Sequence, residues 1–171
     1  MSLPLTPAEL HQLEQRGARL ARRPSGQAEH AERFVAFRRG ETRYALPAAM
    51  LRGVRPLPGP TLLPRLPAHV LGVVNLGGRP LGVFDLARLE HPQAPAPAAP
   101  WALWLSDGPR SLVLVADEVL EVIDVPDAQL AALVRGAFSG RLANLARAIL
   151  PGPLVVLDSA LLLNPELFRI P

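Results

Sequence analysis

The sequence predicts a mainly-β protein with short helices, preceded by a helical extension. The chain of 171 residues contains 20 prolines and 13 glycines, and this density interrupts helices and favours short strands joined by turns. Short apolar stretches with strand-like alternation lie between these turns. Hydrophobic residues make up 49% of the chain and aromatic residues only 5%, so a core is available and aliphatic side chains must fill it.

Residues 1–31 are predicted to form an N-terminal helical extension, and residues 32–171 a separate domain. Within the extension, segment 6–23 has Thr6 at the N-cap position and apolar residues at spacings of three and four, and Pro24 lies just beyond it. Two interpretations stay open. The helix is either solvated and loosely packed on the domain, or it docks on a partner or an anionic surface.

The basic charge of the chain is concentrated at this end. Residues 1–39 hold seven arginines and four acids, whereas residues 40–171 hold eleven of each. All 18 basic residues are arginine and no cysteine is present, which excludes disulfides, thiolate chemistry, Schiff-base lysines and a P-loop lysine. The sequence shows neither a signal peptide nor an apolar run long enough for a membrane span, so we expect a cytoplasmic protein.

The first half of the domain is predicted to contain two hairpins. The stretch "RFVAFRRGETRYALP" places apolar residues on both sides of a turn at residues 39–41. The stretch "VLGVVNLGGRPLGVFDL" does the same around Gly77 and Gly78, with Asn75 before that turn and Asp85 after it. The Pro/Ala-rich residues 91–100 are predicted to be an extended, mobile linker between the halves.

The second half repeats this outline. Two strands flank a turn at residues 106–109, residues 127–143 show a mixed helical spacing, and a hairpin surrounds Pro151-Gly152 before a short helix capped by Asp158. Each half therefore has a strand pair, a middle segment and a hairpin that ends in "VFDL" or "VLDS". This similarity indicates two related small β-barrel lobes.

Residues with catalytic or metal-binding spacing are not found. The four histidines are scattered, and no serine lies in a nucleophile elbow. Asp117 and Glu118 are neighbours on a predicted strand, so their carboxylates point to opposite faces. The sequence Gly77-Gly78-Arg79 lacks the spaced glycines and following helix of a phosphate loop, and it reads as a turn. We therefore expect no catalytic residues, no metal site and no cofactor.

The order of several motifs resembles the CheW-like domain, the coupling module of bacterial chemotaxis. The shared features are "F-V-x-F-x-x-G", a tyrosine at the start of strand two, "G-V-x-N-L-x-G" and "V-x-D-L". The stretches "VADEVLEVIDVP" and "PGPLVVLDSALLL" are similar to the family's later strands. The resemblance covers about residues 33–165, and the order and spacing of the motifs are more specific than any one of them.

The resemblance implies two SH3-like, five-stranded β-barrel lobes without enzymatic activity. It also implies an adaptor that couples the cytoplasmic tip of a methyl-accepting chemoreceptor to the regulatory domain of a CheA-type histidine kinase. Such an adaptor would be cytoplasmic and recruited to the inner face of the membrane through receptor arrays, with no direct membrane insertion.

The chain departs from the family pattern on surfaces that the family uses for partner contacts. The usual "N-L-R-G" is Asn75-Leu76-Gly77-Gly78 here, and Arg79 on the same turn is placed to substitute for the missing arginine. We expect Leu51, Val54, Val73, Leu76 and Val83 to form an apolar cluster shared between core and docking groove. The expected partner-binding residues are Leu51, Arg52, Val54, Val73, Asn75, Leu76, Gly77, Gly78, Arg79 and Val83.

One function from another class is an alternative. A small basic β-barrel protein could bind nucleic acid through the arginine-rich N-terminal arm, although the neutral domain holds few aromatics for a binding surface. Asn75 and Asp85 are interpreted as structural polar residues that hydrogen-bond strand ends or turn backbone.

Overall fold

The structure, a computed structural model, describes residues 30–131 and 140–164. Ten strands form two five-stranded sheets. In chain order the strands are β1 (Ala31–Arg39), β2 (Thr42–Pro47), β3 (Leu51–Pro56), β4 (Val70–Leu76), β5 (Arg79–Phe84), β6 (Trp101–Ser106), β7 (Ser111–Ala116), β8 (Glu118–Pro126), β9 (Ala146–Leu150) and β10 (Leu154–Leu157). Sheet A has the order β8-β1-β2-β10-β9, and sheet B has the order β3-β6-β7-β5-β4.

Sheet B is one continuous part of the chain, inserted between the two parts of sheet A. Its strands β3 to β7 follow one another, while sheet A takes β1 and β2 from one end and β8 to β10 from the other. Residues 91–100 thus connect strands of the same sheet and do not separate the two sheets. The similar halves of the sequence are therefore not the two sheets, because strand pairing reaches across the whole domain.

The predicted hairpins are confirmed. Strand β1 pairs with β2 across the turn at Gly40 and Glu41, and β4 pairs with β5 across Gly77 and Gly78. The two turn glycines have φ of 59° and 78°, a left-handed backbone that glycine adopts without strain. The hairpins β6–β7 and β9–β10 also lie where the sequence predicts them.

Three apolar clusters form the core. The largest lies between the sheets and takes Phe37 and Tyr44 from sheet A and Leu103 and Leu114 from sheet B. A second cluster, which includes Phe34, packs on the other side of sheet A. A third packs on the other side of sheet B. The central strands are thus buried on both faces, which explains their unbroken apolar runs.

Short helices connect the strands. They are α1 (Leu86–Glu90), α2 (Asp127–Ala131) and α3 (Ser159–Leu162), together with 3-10 turns at Ala48–Met50 and Leu142–Asn144. The carboxylate of Asp158 accepts hydrogen bonds from the first turn of α3, as the sequence predicts. The predicted helix over 6–23 lies outside the described residues, and of the segment 127–143 the structure describes only α2 and residues 140–143.

Candidate partner-binding site

A buried ion pair joins the two sheets. Arg39, at the end of β1, donates from Nε to Asp85 Oδ1 at 2.9 Å and from Nη2 to Asp85 Oδ2 at 2.7 Å. Burial lowers the pKa of Arg39, but the hydrogen bond and charge of Asp85 outweigh it, and the pKa lies above its ordinary value. Nη2 also donates to the Pro95 carbonyl at 2.6 Å, so the loop 91–100, predicted to be mobile, is tied to this pair.

Asp117 adds a second carboxylate to this ion pair. It lies between β7 and β8, where the chain returns from sheet B to sheet A. Its Oδ2 accepts a hydrogen bond from the Gly40 amide at 2.6 Å and is 3.6 Å from Nη1 of both Arg38 and Arg39. Glu118 is exposed, and its Oε2 is 3.5 Å from Arg38 Nε. Both carboxylates therefore lie at the guanidinium of Arg38, and the prediction that they point to opposite faces is wrong, because Asp117 lies between two strands and not within one.

Asp85 has a further role at the start of α1, whereas Asn75 does not match its interpretation. Asp85 Oδ1 accepts a hydrogen bond from the Ala87 amide at 3.0 Å, so Asp85 is both the helix cap and the partner of Arg39. The Asn75 side chain is exposed and forms no hydrogen bond with the described residues. The sequence thus predicted the structural role of Asp85 and not the exposed position of Asn75.

Two further polar groups lie near the segment that precedes β9, at Arg141 and Leu142. Glu90 at the end of α1 accepts a hydrogen bond from the Leu142 amide at 2.5 Å. His69 is 6% exposed, and its Nε2 has no hydrogen-bond partner among the described residues. Burial lowers the pKa of His69 below its ordinary value of 6.5, and the positive charge of Arg141 lowers it further.

The expected apolar cluster is divided between two parts of the core. Leu51 and Val54 on β3 are partly buried and pack against the cluster between the sheets. Leu76 and Val83 are 1% and 0% exposed and belong to the cluster within sheet B. Their side chains therefore stabilise the core and do not line an open groove. The prediction of one shared cluster is wrong because sheet B has an apolar cluster on each face: β3 packs against one of them, and β4 and β5 contribute to the other.

Most of the other expected partner-binding residues lie on the surface of sheet B. Val73 is partly exposed, and its backbone forms two hydrogen bonds with Thr61. The remaining five are exposed: Arg52, Asn75, Gly77, Gly78 and Arg79.

No helix in the described ranges 30–131 and 140–164 is long and apolar enough to cross a membrane.

Trp104 on β6, which was not among the expected residues, links the two parts of this surface. It lies opposite Gly53 of β3 in the strand register. A Cβ built on Gly77 would be 3.6 Å from Cη2 of the same indole. Trp104 thus connects β3 to the β4–β5 turn, although these elements lie at opposite ends of the sheet order. Its position next to two glycines depends on strand pairing, and no sequence pattern marked it.

Comparisons with known proteins agree with this architecture. A family model described as the CheW-like domain matches residues 33–166. A probable chemotaxis protein CheW of Rhizobium etli (strain ATCC 51251 / DSM 11541 / JCM 21823 / NBRC 15573 / CFN 42) is 31% identical over 95 residues. The chemotaxis protein CheW of Rhizobium meliloti (strain 1021) is 28% identical over 95 residues. Each alignment spans 55% of this chain and 61% of the relative.

A solved structure shows the same fold. The scaffolding protein TtCheW from Thermoanaerobacter tengcongensis aligns with a TM-score of 0.64 and 17% identity, over 79% of this chain and 90% of that protein. The family model extends across both sheets, from β1 to beyond α3. The chain therefore belongs to the CheW-like domain family.

Proposed function

We propose that this chain is a non-enzymatic adaptor of a bacterial chemotaxis or motility pathway. It couples the cytoplasmic tip of a methyl-accepting chemoreceptor to the regulatory domain of a CheA-type histidine kinase. The observation that carries this proposal is the CheW-like match over residues 33–166, together with relatives named as chemotaxis proteins. In this role the protein is cytoplasmic and reaches the inner face of the membrane only through receptor arrays.

The contacts between the sheets support an adaptor that acts through its surfaces. The Arg39–Asp85 pair and the hydrogen bond from Leu142 to Glu90 connect the two sheets. A protein that holds two partners in a fixed relation needs such a connection, because movement between its halves would change the geometry of the complex. The comparisons give no support to the alternative of nucleic-acid binding.

We also propose that each sheet forms an SH3-like barrel lobe. The fit is clearest for sheet B, where Thr61 and Val73 exchange two backbone hydrogen bonds of 2.8 and 3.0 Å. These bonds connect the segment after β3 to β4, the two ends of the sheet order, and the cluster around Leu76 and Val83 fills the interior. Sheet A has its own apolar cluster on the face away from sheet B.

Partner contacts are proposed on the surface of sheet B. The candidates that keep exposed or partly exposed side chains or backbone are Leu51, Arg52, Val54, Val73, Asn75, Gly77, Gly78 and Arg79. Leu76 and Val83 support this surface from inside.

The function is tested by calorimetric titration of the protein with the purified kinase regulatory domain, with the receptor tip, and with both together. An adaptor binds each one and forms the ternary complex. Asn75→Glu is expected to weaken binding of at least one partner about fivefold or more, with little change in melting temperature. The matched control is Asn144→Glu, the same substitution at an exposed asparagine outside sheet B.

Two results would contradict the proposal. One is that the protein binds neither domain and instead shifts RNA or DNA with a steep salt dependence, which would favour the nucleic-acid alternative. The second result is that Asn75→Glu and Asn144→Glu bind the partners with equal affinity. It would contradict only the proposed binding surface on sheet B.

A further inference from the structure

The charged residues of the two sheets are distributed very differently. The strands of sheet A carry both signs, and β8 alone holds Glu118, Glu121 and Asp124. The strands of sheet B carry three charged residues, all arginine, and no acid. These three are Arg52, Arg55 and Arg79. From Thr42 to Phe84 the sequence has no aspartate or glutamate at all.

These three arginines also differ from most others in their contacts. On sheet A, Arg33, Arg38, Arg39, Arg43 and Arg147 each lie within ion-pair distance of a carboxylate. Arg52, Arg55 and Arg79 are exposed and form no ion pair with the described residues. Unpaired like charges repel one another and lower the stability of the fold. A carboxylate that approaches them relieves this repulsion.

The arginines lie around a partly exposed indole. Gly53, directly opposite Trp104, lies between Arg52 and Arg55, and the ring reaches Gly77 at the turn that leads into Arg79. Arg52 lies at the register shift between Leu51 and Gly53 and is exposed. We call this group, which consists of Trp104, the two glycines and the three arginines, the tryptophan face.

The two glycines leave the indole accessible. A Cβ on Gly53 would meet no atom within 4 Å, so the surface is open at this position, which lies opposite Trp104 in the strand register. At Gly77 a Cβ would be in van der Waals contact with the benzo end of the ring, so glycine keeps a side chain off this part of the indole. An aromatic ring with arginines around it is the composition that dominates protein interfaces.

Resting on the proposed adaptor function, we propose that the tryptophan face is the docking site for an acidic segment of a partner protein. An apolar side chain of that segment packs on the Trp104 indole, and its carboxylates pair with Arg52, Arg55 and Arg79. Charge complementarity carries this assignment, because sheet B offers three free cations and no competing anion on its strands. A nucleic acid fits less well, since single strands are held by several stacked aromatics along a longer basic groove.

The test uses a synthetic peptide whose only charged residues are glutamates and whose apolar residues are leucines. Its binding to the 171-residue chain is followed by tryptophan fluorescence and calorimetry between low and physiological salt. We expect binding that weakens with salt and disappears when the glutamates are replaced by glutamine. Arg55→Gln and Arg79→Gln should each weaken it about fivefold. Arg33→Gln on sheet A, which makes the same change in charge, should leave it unchanged.

Trp104→Phe provides a second test that does not depend on charge. Trp104 Nε1 is buried without a hydrogen-bond partner among the described residues. The loss of this N–H group in the variant is therefore expected to leave the stability of the protein unchanged or to raise it slightly. The variant should retain its melting temperature, weaken peptide binding and lose the fluorescence change. Trp101, the other tryptophan, packs against the cluster between the sheets and serves as the constant signal.

The inference is overturned if the peptide does not bind, or if the sheet B variants bind it as tightly as the wild type. It is also overturned if a uridine oligomer or anionic vesicles bind more tightly than the peptide and lose that binding in the same variants. Neither the kinase nor the receptor enters this assay. Absence of peptide binding would therefore not contradict the adaptor function. Absence of kinase or receptor binding would not change the interpretation of the peptide assay.

Discussion

Replacing Asp85 by asparagine should destabilise the protein strongly although it changes only one group. Asparagine can still accept the hydrogen bond from the Ala87 amide, so the cap of α1 is retained. The lost element is the negative charge opposite Arg39, whose side chain is 2% exposed. The substitution therefore isolates the ion pair from the helix cap.

The size of the effect follows from the remaining contacts of Arg39. Breaking a buried ion pair by removing one partner costs about 3–5 kcal/mol. Asp117 stays 3.6 Å from Nη1 and compensates part of the lost charge, so we expect about 3 kcal/mol. Asp85→Ala also removes the cap and should cost about 1 kcal/mol more. For a domain with a total stability of about 5–15 kcal/mol, either loss is large.

The assay is urea unfolding followed by circular dichroism, arranged as a double-mutant cycle with Arg39→Met. The exposed Arg33–Asp124 pair, with side chains 56% and 44% exposed, is the matched control, and Asp124→Asn should cost less than about 1 kcal/mol. The reasoning is refuted if Asp85→Asn costs no more than the control. A coupling energy near zero between Arg39 and Asp85 would refute it as well.

Three further predictions concern titration and backbone geometry. The lowered pKa of His69 means that the unfolded chain takes up a proton more readily, so stability should fall as pH drops below about 6.5. His69→Gln should reduce this dependence when urea unfolding is measured at several pH values, and an unchanged dependence in the variant would contradict the assignment to His69. Burial raises the pKa of Tyr44, the only tyrosine, to about 12. Its absorbance titration should therefore have a midpoint near 12 or coincide with alkaline unfolding, because the protein loses stability above pH 10, where the unfolded chain ionises. A midpoint near 10 in the folded protein would contradict the burial of Tyr44. Gly72 has φ of 128°, and a Cβ there would lie 2.3 Å from the Thr61 carbonyl oxygen. Gly72→Ala should therefore lower the free energy of unfolding by more than about 2 kcal/mol in urea. A neutral result would contradict this and show that the segment around Thr61 can move away from β4.

Local features of this fold could be predicted from the sequence, because each is determined by neighbouring residues. The turn at Gly77 and Gly78 follows from the dihedral freedom of glycine, and the α3 cap follows from Asp158. The arrangement of the sheets could not be predicted in this way. The parallel pairing of β10 with β2 joins strands about a hundred residues apart, and no local pattern specifies it.

The site was predictable only in part for the same reason. Asp85 was recognised as structural, but its partner Arg39 lies 46 residues away in a predicted turn. The sequence did not distinguish the outward side of Val73 and Val74, whereas the structure buries Val74 and leaves Val73 partly exposed. Trp104 was not predicted because its position opposite Gly53 and next to the turn at Gly77 depends on strand pairing, which no local pattern specifies.

The insertion of sheet B within sheet A has a consequence for synthesis on the ribosome. Residues 51–116, which hold every strand of sheet B, emerge before β8, so that sheet can complete its pairing while translation continues. The β1–β2 hairpin cannot complete its pairing at that stage, because its neighbours in sheet A are β8 and β10, which are synthesised later. Until those strands arrive it has two unpaired edges and an exposed apolar surface, so this hairpin is the part of the nascent chain most open to aggregation or chaperone binding.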